Sequence, residues 1–210
     1  MMEKIFSLIC AVVFSVCGMT SCAQGVKSDK TENMKNKKIL VAYFSRTGGN
    51  YGVGNISKGN TRIIADMIAA ETGGETFEIK PVKAYPDDYQ ACVDIARKEK
   101  DTNSRPEIQD DIRTEDYDII FLGYPNWWGD MPMPVYTFLE RHDWSGKTVI
   151  PFCTHEGSGL SGTEDKIRQT CKGATVKSGL AVRGSTAQNS QPEARKSVES
   201  WLKKLNFQLR

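Results

Sequence analysis

Histidine is scarce in this sequence: among 210 residues, only His142 and His155 occur. Two imidazoles leave too few ligands for a convincing zinc site. The HExxH pattern fails at His155 because position 159 is glycine. The nucleophile elbow GxSxG is also absent around Ser158, since Glu156 stands where the first glycine would be. A zinc protease and an α/β-hydrolase are therefore disfavoured.

The net charge and the cysteine content argue against two other classes, nucleic-acid-binding proteins and disulfide-stabilised proteins. The net charge is only +2, and no basic stripe is interleaved with aromatic residues, so nothing argues for nucleic acid. Beyond position 22 the cysteines are Cys92, Cys153 and Cys171, an odd number without a CxxC pair. This excludes a disulfide framework. Cys153 is expected to be a small buried hydrophobe at the end of a strand rather than a reactive thiol.

The N-terminus has a composition of its own. Lys4 precedes a mostly apolar run, and small residues and a cysteine follow in "GMTSC". This order is typical of an export signal, and the end of the segment resembles a bacterial lipoprotein lipobox. The resemblance implies cleavage after residues 1–21 and a lipidated Cys22 that holds the protein at a bacterial membrane, on the periplasmic side or the cell surface. An ordinary cleaved signal and a buried helix are the alternatives. The polar residues 22–37 are predicted to form a disordered tether to a domain at 38–210.

From Lys38 onward, short apolar runs alternate with amphipathic stretches. The runs predict five strands, at 38–44, 75–79, 117–124, 147–153 and 174–182. Helical spacing of apolar residues follows each run, which predicts five helices. Such alternation indicates an α/β fold, a doubly wound parallel sheet with helices on both faces. Ligands of these sheets bind beyond the carboxyl ends of the strands, so the loops after strands one, three and four are the candidates.

The loop after strand one is rich in hydroxyl and amide side chains, and it runs into a helix that starts near Thr61. Hydroxyl groups together with the free amides of a helix N-terminus can hold a phosphate, although an ordinary N-cap after a glycine-rich turn is the alternative. The stretch "GNISKGNT" (54–61) has P-loop spacing, but Asn60 replaces the lysine that reaches a triphosphate. A monophosphate is therefore favoured. The loop also lacks GxGxxG, which disfavours a dinucleotide site.

The other two loops contain aromatic residues and glycines. "PNWWGDMP" (125–132) follows strand three, and "THEGSGLSG" (154–162) follows strand four. Tryptophan faces can stack on a planar ligand, and glycines let the backbone approach one closely. With the phosphate loop, they predict a ligand that has a phosphate at one end and a planar group at the other.

Three stretches, "VAYFSRTG…GNT", "DIIFLGYPNWWGDMPMP" and "PFCTHEGSGLSG", resemble the flavodoxin-like FMN proteins, and the likeness spans about residues 38–205. It implies a five-stranded sheet ordered 2-1-3-4-5, with FMN where the strand order reverses. The implied cofactor-binding residues are Ser45, Thr47, Gly48, Asn60, Thr61, Pro125, Asn126, Trp127, Trp128, Gly129, Thr154, His155, Glu156, Gly157 and Gly159. One of Trp127 and Trp128 is expected to contact the flavin while the other packs inward, because neighbouring side chains of an extended segment point in opposite directions. The inserted residues 49–59 leave open which glycines approach the phosphate.

Three functions are compatible with this resemblance. An FMN-dependent oxidoreductase would take electrons from NAD(P)H and pass them to a quinone-like or other small acceptor. A flavodoxin-type electron-transfer protein would have no substrate of its own, and a flavin-free binding module is the third hypothesis. His155 and Glu156 are weak candidates for a proton donor. The sequence leaves open the redox partner and the oligomeric state, a homodimer included.

Overall fold

A parallel sheet organises residues 37–210, the part of the chain that the computed structural model describes. Its strands are β1 (Ile39–Tyr43), β4 (Glu75–Glu78), β5 (Ile119–Pro125), β6 (Thr148–His155), β7 (Thr175–Val176) and β8 (Leu180–Arg183). They lie in the order β4-β1-β5-β6-β7, and β8 also pairs with β6. Counted along the chain, with β7 and β8 sharing the last position, this order is 2-1-3-4-5. The predicted fold class and strand order are confirmed.

Six α-helices within residues 37–210 cover the sheet. They are α1 (Asn60–Thr72), α2 (Tyr89–Asp101), α3 (Met133–Glu140), α4 (Thr163–Thr170), α5 (Gly184–Asn189) and α6 (Gln191–Lys204). None of the helices within residues 37–210 is long and apolar enough to cross a membrane. The predicted signal peptide, the lipidated Cys22 and the tether up to residue 36 lie outside the described residues.

Alternate residues of the central strands pack into two separate hydrophobic cores, one on each face of the sheet. Val41 and Tyr43 of β1 pack on one face of the sheet with α1 and α6, whereas Leu40 and Ala42 pack on the other face with α3 and α4. Successive side chains of a strand point to opposite faces, so a run that is apolar throughout can be buried on both sides. This is why "ILVAY" lacks the alternation of a half-exposed strand.

The inserted loop after β1 folds into a hairpin that the sequence analysis did not predict. Its strands are β2 (Gly48–Asn50) and β3 (Gly54–Ile56), and they pair antiparallel with Gly49 opposite Asn55. Gly48, Gly52 and Gly54 have φ values between +72° and +76°, which only glycine adopts at little cost. The turn places Tyr51 at the tip of the hairpin.

The last strand position also differs from the prediction, which had one strand over 174–182. β7 pairs with Thr148 and Val149 of β6, and β8 pairs with Phe152 to His155 further along. Between them the amide of Gly179 donates to Glu164 Oε1 at 2.7 Å, so the chain leaves the ladder there. The extra helix α5 then begins directly after β8.

Candidate functional site

A cleft of about 440 Å³ opens at the carboxyl ends of β1, β5 and β6. This is the edge of the sheet that the sequence analysis selected. The predicted residues that line it are Asn60, Pro125, Asn126, Trp127, Trp128, Gly129, Thr154, His155, Glu156 and Gly157. The other predicted residues, Ser45, Thr47, Gly48, Thr61 and Gly159, lie beside the cleft without forming its wall.

The N-terminus of α1 meets the cleft at Asn60. Ser45 Oγ accepts a hydrogen bond from the amide of Arg62 at 3.1 Å. Within residues 37–210 the amides of Asn60 and Thr61 find no acceptor. These amides are two of the four donors that every α-helix leaves unpaired at its start, and the helix dipole makes them attractive to an anion.

The remaining predicted members of the phosphate loop have other contacts. Thr61 is buried, and its hydroxyl lies 2.8 Å from that of Thr154 on β6. Thr47 is exposed, and its carbonyl accepts from Asn50 Nδ2 at 3.4 Å. Gly48 is buried against the backbone of Asp87, where an added Cβ would lie 2.8 Å from Asp87 Cα. Thr47 and Gly48 therefore shape the hairpin base, and Thr61 ties α1 to β6.

Arg46 is a cleft residue that the sequence analysis missed. Its guanidinium donates to the carbonyl of Gly49 and, at 3.0 and 3.3 Å, to those of Asp87 and Asp88. Its Nε is buried and has no acceptor among residues 37–210. An orphaned cationic donor in the wall of a cleft is costly unless a ligand or water pairs with it.

The two tryptophans lie in a tight turn, not in the extended segment that the sequence analysis assumed. Trp127 and Asp130 exchange two backbone hydrogen bonds of 2.9 and 3.0 Å. Between them Trp128 and Gly129 have φ values of +56° and +71°, the signs of a type I′ turn. Left-handed backbone is rare for a bulky residue and costs about 1–2 kcal/mol. Such strain at a cleft is typical of functional positions.

Because of the turn, the two tryptophan side chains differ in burial and in contacts. Trp127 is half-buried and packs edge-on against Phe44 and Tyr85, with ring centroids 5.3 and 5.1 Å away. Trp128 is 46% exposed. Its indole N–H donates to the carbonyl of Val93 at 3.3 Å, and the Arg97 guanidinium lies 5.0 Å from its ring centroid. Trp127 is thus the tryptophan that packs inward.

Asn126 locks the loops after β5 and β6 together. Its Nδ2 donates to the carbonyl of Gly159 at 2.9 Å and to Ser161 Oγ at 2.8 Å. Its Oδ1 accepts from the amide of Gly129 at 3.0 Å, and its own amide donates to the carbonyl of Thr154. The cleft wall is therefore preorganised on both sides of this residue.

His155 and Glu156, the weak candidates for a proton donor, have unlike surroundings. The amide of Gly157 donates to His155 Nδ1 at 2.8 Å, so the neutral ring carries its proton on Nε2. Burial, and then the positive charge of Arg183, lowers the pKa of His155 below its ordinary value. The ring is therefore neutral at pH 7 and offers an Nε2–H donor.

Glu156 is engaged by the start of α5. Its Oε1 accepts from the amide of Ser185 at 2.6 Å, and its Oε2 accepts from the hydroxyl of Ser185 at 3.0 Å. An added Cβ on Gly52 would lie 3.0 Å from its carboxyl carbon, so the hairpin turn rests against this side chain. Glu156 thus joins the hairpin to α5, which leaves His155 as the better placed donor.

Further residues line the cleft from the hairpin tip and from α2, where the sequence predicted no site residue. Tyr51 comes from the hairpin tip, and α2 contributes Tyr89, Cys92, Val93 and Ala96. In the sequence, the apolar spacing of α2 indicates only a buried face. The two tyrosines carry no motif, so only their placement by the fold connects them to the site.

The sequence profile of the family described as Flavodoxin matches residues 38–204. The chain belongs to the flavodoxin family. A provisionally named flavoprotein from Bacteroides eggerthii DSM 20697 is 28% identical, with a TM-score of 0.63 over 82% of this chain and 100% of that one. A similarly named protein from Bacteroides uniformis ATCC 8492 is 30% identical, with a TM-score of 0.61 over 80% and 99%.

A third relative was crystallised with a cofactor. The flavoprotein from Lactobacillus acidophilus NCFM, solved in complex with FMN, is 27% identical, with a TM-score of 0.54 over 71% of this chain and 95% of that one. No curated protein sequence matches the chain.

Proposed function

We propose that this flavodoxin-family protein binds FMN in the cleft and transfers electrons through it to a quinone-like or other small acceptor. The observation that carries the proposal is that one cleft contains both anion donors and an aromatic face. The donors are the unpaired amides of α1 and the Arg46 Nε–H, which we assign to a phosphate end, and the face is that of Trp128, which we assign to a ring end. FMN carries both a phosphate and a planar ring, and the L. acidophilus relative was crystallised with it.

The phosphate end fits an anion by its donors. The amides of Asn60 and Thr61 and the orphaned Arg46 Nε–H are all donors, and Asn60 and Arg46 line the cleft. Such donors at the N-terminus of a helix form a ready anion site. We assign phosphate binding to this group, with Ser45 holding the loop against α1 through its bond from Arg62. Thr47 and Gly48 support the loop from the hairpin base.

The ring end fits a planar aromatic ligand by its surfaces. The indole of Trp128 is positioned by its hydrogen bond to Val93 and by Arg97 over one ring face, and Asn126 fixes both loops that flank the cleft. An aromatic contact contributes about 0.5–1.5 kcal/mol beyond its burial. We therefore assign ring stacking to Trp128, and we assign Trp127 to the wall behind it.

When bound, FMN would take up two electrons and two protons from a donor such as NAD(P)H and would pass them to a quinone, which becomes a hydroquinone. The chain's own residues position and shield this exchange. The neutral His155 offers its Nε2–H to an oxygen or nitrogen acceptor in the cleft. Apolar groups of α2, among them Val93 and Ala96, exclude water from one side of the cleft.

The absorbance spectrum of the purified protein tests the cofactor. We expect a yellow protein, or a colourless one that takes up added FMN in a one-to-one ratio and quenches its fluorescence. With FMN bound, steady oxidation of NAD(P)H in the presence of menadione would indicate an oxidoreductase. Absence of such turnover, with the flavin reduced only by a partner protein, would indicate electron transfer between proteins. A folded protein that takes up no FMN contradicts the proposal.

A further inference from the structure

Two tyrosines on the cleft wall have no place in the proposed FMN site. Tyr51 at the hairpin tip is 67% exposed, and Tyr89 at the start of α2 is 41% exposed. Their ring centroids lie 6.3 Å apart, with the planes tilted by 30°. Both line the same cleft as Trp128. Scattered exposed aromatic residues are ordinary, but three around one cleft mouth form a surface suited to flat ligands.

Arg46 holds the two tyrosines in position. Its guanidinium donates to the carbonyl of Gly49, two residues before Tyr51, and to that of Asp88, one residue before Tyr89. The amide of Gly49 also donates to the carbonyl of Asp87 at 2.8 Å, which joins the hairpin base to the segment that begins α2. The two tyrosines therefore lie on backbone segments that hydrogen bonds join to each other. A preorganised surface loses less entropy when it binds a ligand.

The polar groups beside the pair indicate what the ligand offers. Tyrosine hydroxyls, the Nε2–H of His155 and the hydroxyl of Ser158 are hydrogen-bond donors on the cleft wall. Val93 and Ala96 add apolar surface from α2. Stacking faces combined with donors suit a flat ring that carries oxygen acceptors, as a quinone does.

We propose that Tyr51 and Tyr89 form an acceptor subsite in which a quinone-class molecule stacks on the tyrosine rings. The subsite rests on the proposed FMN function. Through Tyr51, the inserted hairpin determines which acceptor binds. The tyrosines contact the acceptor, whereas Trp128 and the donors assigned to phosphate binding contact the cofactor. Removing either ring should therefore weaken quinone binding without weakening FMN binding.

Equilibrium dialysis of menadione against the oxidised, FMN-loaded full-length protein tests the subsite, because no electron donor is present and no turnover occurs. We expect Tyr51→Ala and Tyr89→Ala each to raise the dissociation constant of menadione about three- to tenfold, the value of an aromatic contact. Tyr51→Phe keeps the ring and should bind within about twofold of wild type. Tyr117→Ala, at the opposite edge of the sheet, is the matched control and should change nothing.

FMN affinity, measured separately by flavin fluorescence, distinguishes the two proposals. Unchanged menadione binding in both alanine variants, with FMN still bound, would overturn the subsite and leave the FMN proposal intact. Loss of FMN affinity in parallel with menadione affinity would also overturn it, because the tyrosines would then belong to the cofactor site. Absence of FMN binding by the wild type would contradict the proposed function, and the subsite with it.

Discussion

Gly59 determines how closely the loop after β1 approaches α1. A Cβ at this position would lie 2.1 Å from Ser45 Oγ and 2.6 Å from the carbonyl oxygen of Arg46. Separations below 3.0 Å force the neighbours to move, and here one of them is backbone. The φ of Gly59 is −64°, so any side chain is excluded by space and not by backbone strain. We therefore assign to Gly59 the close approach that the sequence left open among the glycines of this loop.

We predict that Gly59→Ala weakens FMN binding at least tenfold, because the displaced loop moves Ser45 and Arg46 away from the amides of α1. Overpacking of this kind also lowers the free energy of unfolding by about 1–3 kcal/mol. Fluorescence titration with FMN and urea unfolding measure the two effects. Gly146→Ala is the control, since its φ of +74° adds strain in open space far from the cleft. Equal loss of FMN affinity in both variants would contradict the prediction.

The tryptophan pair shows how far sequence reasoning reaches for single residues. The division between one inward and one outward ring is present, with Trp127 against Phe44 and Tyr85. The assumed cause was wrong: the segment turns, with Trp128 and Gly129 at positive φ. Tryptophan is a poor residue for that backbone, so propensity could not indicate it. Contact between Trp128 and a flavin stays a prediction.

Among the elements, the hairpin is linked to the segment before α2 by the side chain of Arg46. Arg46 donates to carbonyls of both the hairpin base and the segment before α2, and it lies in the loop that leads from β1 to β2. A lysine keeps the charge but has one ammonium group instead of a planar fork of donors. It cannot serve the same carbonyls together.

We predict that Arg46→Lys speeds amide hydrogen exchange in residues 48–56 about tenfold or more, because the hairpin loses its cross-link. Exchange in β5 and β6 should stay at the wild-type rate, since those strands lie in the buried sheet. Mass spectrometry of exchanged peptides measures both regions. Arg62→Lys is the matched control, because Arg62 is exposed on α1 and its ion-pair partner is Glu78. Wild-type exchange of the hairpin in Arg46→Lys would rule out the clamp.

The elements divide into those with a sequence pattern and those without one. Apolar runs and helical spacing predicted the central strands and the main helices, because burial on two faces leaves a continuous run. The hairpin has no such pattern: "GNYGVGNI" is mostly glycine and polar residues, and its pairing depends on Arg46 and on positive φ at glycines. The break between β7 and β8 depends on Glu164, a residue from α4.

For the whole molecule, the three described cysteines are buried and free. Burial raises the pKa of Cys153 and of Cys171 to about 12, and that of Cys92 to about 11. Their ordinary value is 9.0. Below that value the thiols are protonated in both the folded and the unfolded state. Above it, the unfolded state releases protons that the folded state keeps, so stability falls as pH rises.

We predict that the free energy of unfolding is lower at pH 10.5 than at pH 8, by up to about 2 kcal/mol for each thiol whose pKa exceeds the working pH. Urea unfolding at the two values measures the loss. The double variant Cys153→Ala with Cys171→Ala should lose less stability over this range than the wild type does. The comparison isolates the thiols, because Tyr43 and Tyr117, whose pKa values are also raised to about 12, are present in both proteins. An equal loss would contradict the prediction.

At this scale the sequence predicted the architecture and the edge of the sheet that bears the cleft. Alternating strands and helices permit few topologies, and the carboxyl ends of parallel strands necessarily share one edge. The composition of the cleft was predictable only where a loop follows a strand. Tyr51 and Tyr89 reach it through the hairpin and α2, whose placement depends on long-range contacts.

The direction of β1 has a practical consequence. The chain enters the sheet at Lys38, whose amide donates to Asp118 Oδ2, and the strand then runs about 16 Å before it reaches the loop that borders the cleft. The entry point and the cleft are therefore at opposite edges of the sheet. An electrode or bead coupled to the domain at the Lys38 end of β1 would leave the cleft open to dissolved molecules. Currents could then be recorded from a uniformly oriented layer of protein.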